Sequence, residues 1–411
     1  MQWTSWSRRG PAPGGCWACT CIRGCPARRS VPRRWRTCCV GCAPTSASGS
    51  RPPARSSSGV RRRTDGWAGA TGGVLGGESV DRARVALIST GGTIDSVGTS
   101  GLDLAWYTET RKRLPDGELV ASLGELREVA DLHPVPFPRV PSYALTAGDW
   151  LTLARTVTGL VSGDDCDGVV ITHGTNTIEE TAYFLQLVLP VGKPVVLVGA
   201  MRPSSGLGAD GPLNLVRAVQ VAASPDARGH GVLVVMNDTI YSARDVTKTA
   251  TFRVETFRAP DTGPLGYADA DGRIEFYHRS GRLPSPSPAF DVGSLDSLPR
   301  VDVVVSYVGA DGALIEAAVA AGARGIVSAG TGAGRTTPAE EAALDRAVAG
   351  GVVVCQATRV GSGRVSRSPG MCRRGLVVAD NLVPWKARVL LSLALTRTAD
   401  ASEVQDLFDR L

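Results

Sequence analysis

Residues 168–199 read GVVITHGTNTIEETAYFLQLVLPVGKPVVLVG. The β-branched apolar runs GVVIT (168–172) and PVVLVG (194–199) are continuous rather than alternating, which is the pattern of strands covered on both faces. Between them EETAYFLQLVL (179–189) has helical periodicity, and Thr177 followed by Glu180 has the spacing of a capping box. Strand, helix and strand in succession predict a parallel sheet with helices on its faces. In such sheets ligands bind at the carboxyl ends of the strands, so the loops that follow them hold the candidate chemistry.

The alternation extends outward. VALIS (85–89), GVLVVM (231–236), VDVVVSY (301–307), GIVSAG (325–330) and GVVVCQ (351–356) read as further buried strands. Thr146 with Asp149 opens a helix in DWLTLARTVTGLV, and Thr337, Pro338 and Glu340 open another in EEAALDRAVAG. The stretch HRSGRLPSPSPAFDVGSLDSLPR (278–300) is rich in Ser, Pro and Gly and marks a break. The expected architecture is two α/β domains with largely parallel sheets. The larger covers 85–280, a linker covers 281–299, and the smaller covers 300–411.

Residues 1–84 are different in kind. Fifteen arginines against Asp65, Glu78 and Asp81 give this segment +12, and with the chain at +6 the remainder carries about −6. The basic balance therefore belongs to the tail, and net charge does not make the body a nucleic-acid binder. Seven of the ten cysteines lie in the tail, where CWAC (16–19) and CVGC (39–42) have metal-ligand spacing. The alternative is a disordered segment, or translation upstream of a true start at Val74 or Val80. No apolar run follows the Arg8–Arg9 pair, and no stretch of about 20 apolar residues occurs, so neither a secretory signal nor a membrane span is expected. Cys166, Cys355 and Cys372 are dispersed, as suits a reducing cytoplasm.

Three strand-end loops concentrate hydroxyls, glycines and amides: TGGTIDS (90–96), THGTNTIEE (172–180) and GAMRPSSGLGADGPLNL (199–215). Each is open to two readings, a tight turn with a helix cap or part of a site. None matches a phosphate-binding glycine motif. His173 is either a base or a hydrogen-bonded structural group. Lysine is more informative, since only Lys112, Lys193, Lys248 and Lys386 stand against forty-one arginines. A buried lysine can give up its proton and arginine cannot, so Lys248 in ARDVTKTATF is either a lysine retained for proton transfer or an ordinary surface lysine.

Taken together, ALISTGGTIDS, DGVVITHGTNTIEETAYFLQLVLPVGKPVVLVGAMRPSSGLGADGPLNL, MNDTIYSARDVTKTATF and NLVPWKARVLLSLALT resemble the bacterial-type L-asparaginase family, and the resemblance runs over nearly all of 85–411. It implies an amidohydrolase that converts L-asparagine, and less readily L-glutamine, to the acid and ammonia with no metal or cofactor. It implies that Thr93 is the nucleophile and that Tyr107 activates it. Thr175 and Lys248 would move protons together. Ser142, Thr175, Asn176 and Gly92 would hold the substrate. Self-association to a dimer or tetramer is expected as well, with no nucleic-acid or membrane partner.

The chain departs from the family pattern at one telling place. The family motif usually reads His-Gly-Thr-Asp-Thr, its aspartate gripping the substrate ammonium, and here Asn176 occupies that position. The stretch SRSPGMCRRG (366–375) likewise offers no match to the acid that a neighbouring subunit contributes in some members. Asp210 and Asp311 are the candidate replacements. Two other functions share these motifs: an ammonia-producing amidotransferase subunit, and a non-catalytic amino-acid sensor, against which the lysine and both threonines argue.

Overall fold

The computed structural model describes residues 82–190, 192–282 and 287–411. The readings made for residues 1–81, including CWAC and CVGC, lie outside the described residues.

The larger domain is built on one mixed sheet. Its strands are β1 (Arg84–Ser89), β2 (Asp131–Val135), β3 (Gly168–Thr172), β4 (Val195–Val198), β5 (Val232–Met236), β6 (Thr239–Ser242), β7 (Gly266–Ala268) and β8 (Ile274–Phe276). They run in the order β8-β7-β6-β5-β4-β3-β1-β2. From β2 to β5 every pairing is parallel, and from β5 to β8 every pairing is antiparallel. All residues of β3, β4 and β5 are buried, as their continuous apolarity predicts.

Helices α1 (Ala147–Ser162), α2 (Ile178–Val188) and α3 (Gly211–Ala223) cover the sheet. Thr146 closes a full capping box with Asp149. The box expected at Thr177 does not form. Its hydroxyl donates instead to Ser142 O at 2.8 Å, a partner 35 residues away that spacing could not reveal.

The smaller domain holds the parallel sheet β9 (Val301–Val305), β10 (Gly325–Gly330), β11 (Val353–Thr358) and β12 (Val377–Val378), paired in that order. Around it lie α4 (Ala313–Ala320), α5 (Pro338–Ala349), α6 (Pro384–Ala394) and α7 (Ala401–Arg410). Thr337 closes its predicted box with Glu340. Strand β9 stops at Val305 rather than Tyr307, and just beyond it the Ser306 hydroxyl donates to Glu340 Oε2 at 2.6 Å.

A single apolar cluster spans both domains. α2 packs on α6, Trp150 stacks on Phe184 at 5.1 Å, and Phe290, Val301 and Leu390 join them. No helix among the described residues is long and apolar enough to cross a membrane.

Candidate active site

The chain leaves β1 toward β2 on one side and leaves β3 toward β4 on the other, so the loops after β1 and β3 flank a topological switch point. Thr90 closes the first strand: its amide and hydroxyl both donate to Thr172 O, at 3.1 and 2.8 Å. The backbone then turns through Gly91 and Gly92, at φ 92° and 121°. Such angles favour glycine. A Cβ on Gly92 would sit 2.7 Å from Gly174 Cα and N, and one on Gly174 would sit 2.5 Å from Ser142 Oγ. Two backbone segments and the Ser142 side chain are thereby packed closer than a side chain at 92 or 174 would permit.

Beyond Gly92, Thr93 opens the short 3-10 turn Thr93–Asp95. Its Oγ1 lies 2.8 Å from Tyr107 OH. Tyr107 reaches it from a loop pinned by Asp103, whose carboxylate accepts from the amides of Thr99 and Trp106. A two-residue ladder, Ser96–Val97 with Lys112–Arg113, closes the base of that loop. Burial raises the Tyr107 phenol above its ordinary value, the Thr93 hydrogen bond opposes this, and Asp210 and Asp103 add to it. The phenol thus keeps its proton at neutral pH and can take one from Thr93 only by handing its own on.

On the other wall Lys248 projects from the Thr247–Lys248 strand. Its Nζ donates to Thr175 Oγ1 at 3.0 Å and to Asn176 Oδ1 at 3.2 Å. Burial holds the amine below the ordinary lysine value, opposed by the Glu179 carboxylate. Glu179 Oε1 in turn accepts the Lys248 backbone N–H at 3.1 Å, fixing the strand beneath the side chain.

All seven residues singled out from the sequence, Gly92, Thr93, Tyr107, Ser142, Thr175, Asn176 and Lys248, line one cavity of about 640 Å³. A neighbouring cavity of about 610 Å³ shares Ser142 and Tyr143 with it but touches neither catalytic-candidate threonine nor Lys248. His173 lies behind the site, fully buried, with Nδ1 2.8 Å from Gly174 O. Burial pushes its pKa down to about 4, which is the structural reading of the two.

Neither candidate replacement acid reaches the cavity. Asp210 is spent on the amides of Met201 and Arg202 and on Asn214 Nδ2, and Asp311 on the amide of Ala313. The sequence reading missed the basic rim formed by Arg111, Lys112, Arg113 and Arg139. No motif spacing carries that signal: Arg139 is placed by ion pairs to Asp95 at 3.1 Å and Asp116 at 2.5 Å. Among the described residues no three His, Cys, Asp or Glu side chains gather where they could hold a metal ion.

Fold and site together define a two-domain α/β protein with a hydroxyl and lysine centre at the carboxyl ends of parallel strands. Residues 84–282 match the family model "Asparaginase, N-terminal", and residues 300–408 match "Glutaminase/Asparaginase C-terminal domain". The chain belongs to the asparaginase family. It is 41% identical to L-asparaginase 2 of Bacillus subtilis (strain 168), over 81% of this chain and 88% of that one. It is 38% identical to the glutaminase-asparaginase of Pseudomonas fluorescens biotype A, over 79% and 90%. The crystal structure of a probable cytoplasmic L-asparaginase from Campylobacter jejuni superposes with a TM-score of 0.77 at 39% identity, covering 80% of this chain and all of that one.

Proposed function

We propose that this protein is an L-asparaginase that works through a threonine ester. The observation that carries the reading is a pair of activated hydroxyls facing one cavity: Thr93 against Tyr107, and Thr175 against Lys248. Thr93 Oγ1 attacks the side-chain carbonyl carbon of asparagine as its proton passes to Tyr107. Tyr107 hands its own phenolic proton to the amide nitrogen as it takes the one from Thr93, the C–N bond breaks, and ammonia leaves. Water, giving one proton through Thr175 to neutral Lys248, then attacks the aspartyl ester. The bond between the acyl carbon and Thr93 Oγ1 breaks, Thr93 Oγ1 takes the second water proton back through Tyr107, aspartate leaves, and Lys248 returns its proton to solvent.

Positioned proton transfer of this kind contributes about 10² to 10⁴ in rate. A threonine hydroxyl is a weak nucleophile until a base relieves it of its proton, and burial readies Lys248 for the second step. Ser142, held against Gly174, is the group assigned to the substrate carboxylate. Glutamine, one methylene longer, is the poorer substrate.

Cytoplasmic residence is part of the same reading, supported by Cys166, Cys355 and Cys372, all free thiols. So is self-association, supported by the exposed apolar side chains of Val305, Tyr307, Val308 and Leu314 on the smaller domain's edge strand and the segment after it. Sedimentation of the purified chain tests the latter, and a monomer at micromolar concentration overturns it.

Ammonia release from L-asparagine, D-asparagine and L-glutamine by the purified full chain tests the activity. Release from L-asparagine is expected, and a folded protein that releases none from any of them overturns the reading. The Thr93→Ala variant is expected to bind asparagine without turning it over; retained turnover assigns the nucleophile elsewhere.

A further inference from the structure

The cavity that contains Thr93 and Lys248 has a feature that suits asparagine poorly: among the described residues of this chain, no carboxylate lines it. Asparagine carries an α-ammonium, and a buried or half-buried cation without a partner is costly to bind. The acids nearest in the fold are bonded to other groups or face another cavity. Asp95 is paired with Arg139, and Asp210 is bonded to the amides of Met201 and Arg202. Glu179 and Glu180 face the adjoining cavity on the other side of Lys248.

What does line the cavity is positive. Arg111, Lys112, Arg113 and Arg139 stand on the wall with Tyr107, and Lys248 on the wall opposite. Of the four on the first wall only Arg139 is ion-paired among the described residues.

Asn176 adds a directional argument. The Asn176 atom that faces Lys248 Nζ at 3.2 Å is the carbonyl oxygen, which accepts from the amine whether it is charged or neutral. The amide nitrogen is thereby turned away from Lys248, and Asn176 is exposed. The free end of this side chain offers hydrogen-bond donors, which repel an ammonium and welcome an oxygen.

The geometry points to ω-amides whose α-ammonium is absent or acylated, monoanionic half-amides of dicarboxylic acids, as the preferred substrates of this site, with Asn176 the specificity-determining residue. This rests on the amidohydrolase reading above and refines its substrate. The same Thr93 ester and the same loss of ammonia apply, because the reacting amide is unchanged. An acyl oxygen on the α-nitrogen accepts from Asn176 Nδ2, while a plain methylene there leaves the amide to water. Tyr143 and Phe252, both largely exposed beside the cavity, give an acyl group an apolar rest.

The test compares ammonia release by the full chain from L-asparagine, from succinamate, which lacks the α-nitrogen, and from N-acetyl-L-asparagine. At least one of the two anionic amides is expected to reach or exceed the kcat/KM of L-asparagine. Succinamate in front identifies the deaminated source, and N-acetyl-L-asparagine in front identifies the acylated one. L-asparagine ahead of both overturns the inference and leaves the asparaginase reading standing, whereas no ammonia from any of the three overturns that reading and this one with it. The near-isosteric Asn176→Asp variant is expected to shift the ratio of kcat/KM toward L-asparagine by about tenfold, mostly through KM. An unchanged ratio overturns the role of Asn176.

Discussion

Lys248 and Lys386 are both drawn out of water, and they end in opposite surroundings. Lys386, on α6, is 1% exposed, and its Nζ donates to the backbone carbonyls of Ala243, Arg244 and Val246. Burial pushes its pKa down to about 8, lower than a lysine in water, with Glu179 and Asp245 opposing. Lys248, two residues beyond that carbonyl trio, reaches a threonine hydroxyl and an amide at a cavity wall. A perturbed lysine is therefore not a site by itself. Lys386 fastens α6 of the smaller domain to the loop that carries Lys248, and of the two only Lys248 has a hydroxyl that can relay a proton and room for a substrate beside it.

Removing each amine separates the two roles. Lys248→Met is expected to lower kcat by about 10² to 10⁴ with little change in the unfolding midpoint, and Lys248→Arg is expected not to restore it, since guanidinium cannot give up its proton. Lys386→Met leaves three buried carbonyls without their donor and is expected to destabilise the fold by about 3 kcal/mol or more, measured by urea unfolding. Its kcat at low temperature, where the variant remains folded, stays within about twofold of the parent on the assignment of Lys386 to structure. A large loss of kcat in a folded Lys386→Met protein would erase the distinction between the two amines.

The pH dependence sharpens it further. Burial brings the folded Lys386 pKa down to about 8, and an unfolded lysine keeps its ordinary value of 10.5. Between those values the unfolded chain binds more protons, so stability rises with pH across the window. The stability gap between the parent and Lys386→Met is expected to widen over the same window, read from unfolding curves at successive pH values. Activity follows the other lysine: hydrolysis of the ester requires neutral Lys248, so kcat falls as pH drops through the lowered Lys248 pKa. Asn176→Asp sets a carboxylate 3.2 Å from that amine and is expected to move this acid limb up by about one pH unit. An unmoved limb would assign it to another group.

What the sequence made legible was local. Seven strands, β1, β3, β4, β5, β9, β10 and β11, announced themselves by continuous apolarity, and the boxes at Thr146 and Thr337 by a spacing of three, while β2, with no buried residue, and the two-residue β12 carry no such signal. The antiparallel strands β6 to β8 did not, because they are short and their order depends on pairing with β5 and with one another. The cavity residues were readable from their motifs, and the structure brings them together. The basic rim and Lys386 were not, since each is set by a partner far along the chain: Asp95 for Arg139, and the 243–246 carbonyls for Lys386. An asparagine in a motif can be seen in one dimension, but the direction its amide faces cannot.

The contact of Gly92 with Gly174, and of Gly174 with Ser142, has a consequence for anyone altering this protein. The floor of the cavity is bare backbone on two sides, so its dimensions cannot be tuned by exchanging side chains there; even alanine at 92 or 174 collides with main chain or with Ser142. Breadth of substrate has to be engineered at the mouth, where Tyr143 and Phe252 stand in solvent and can be trimmed or enlarged without disturbing the spacing of the two threonines.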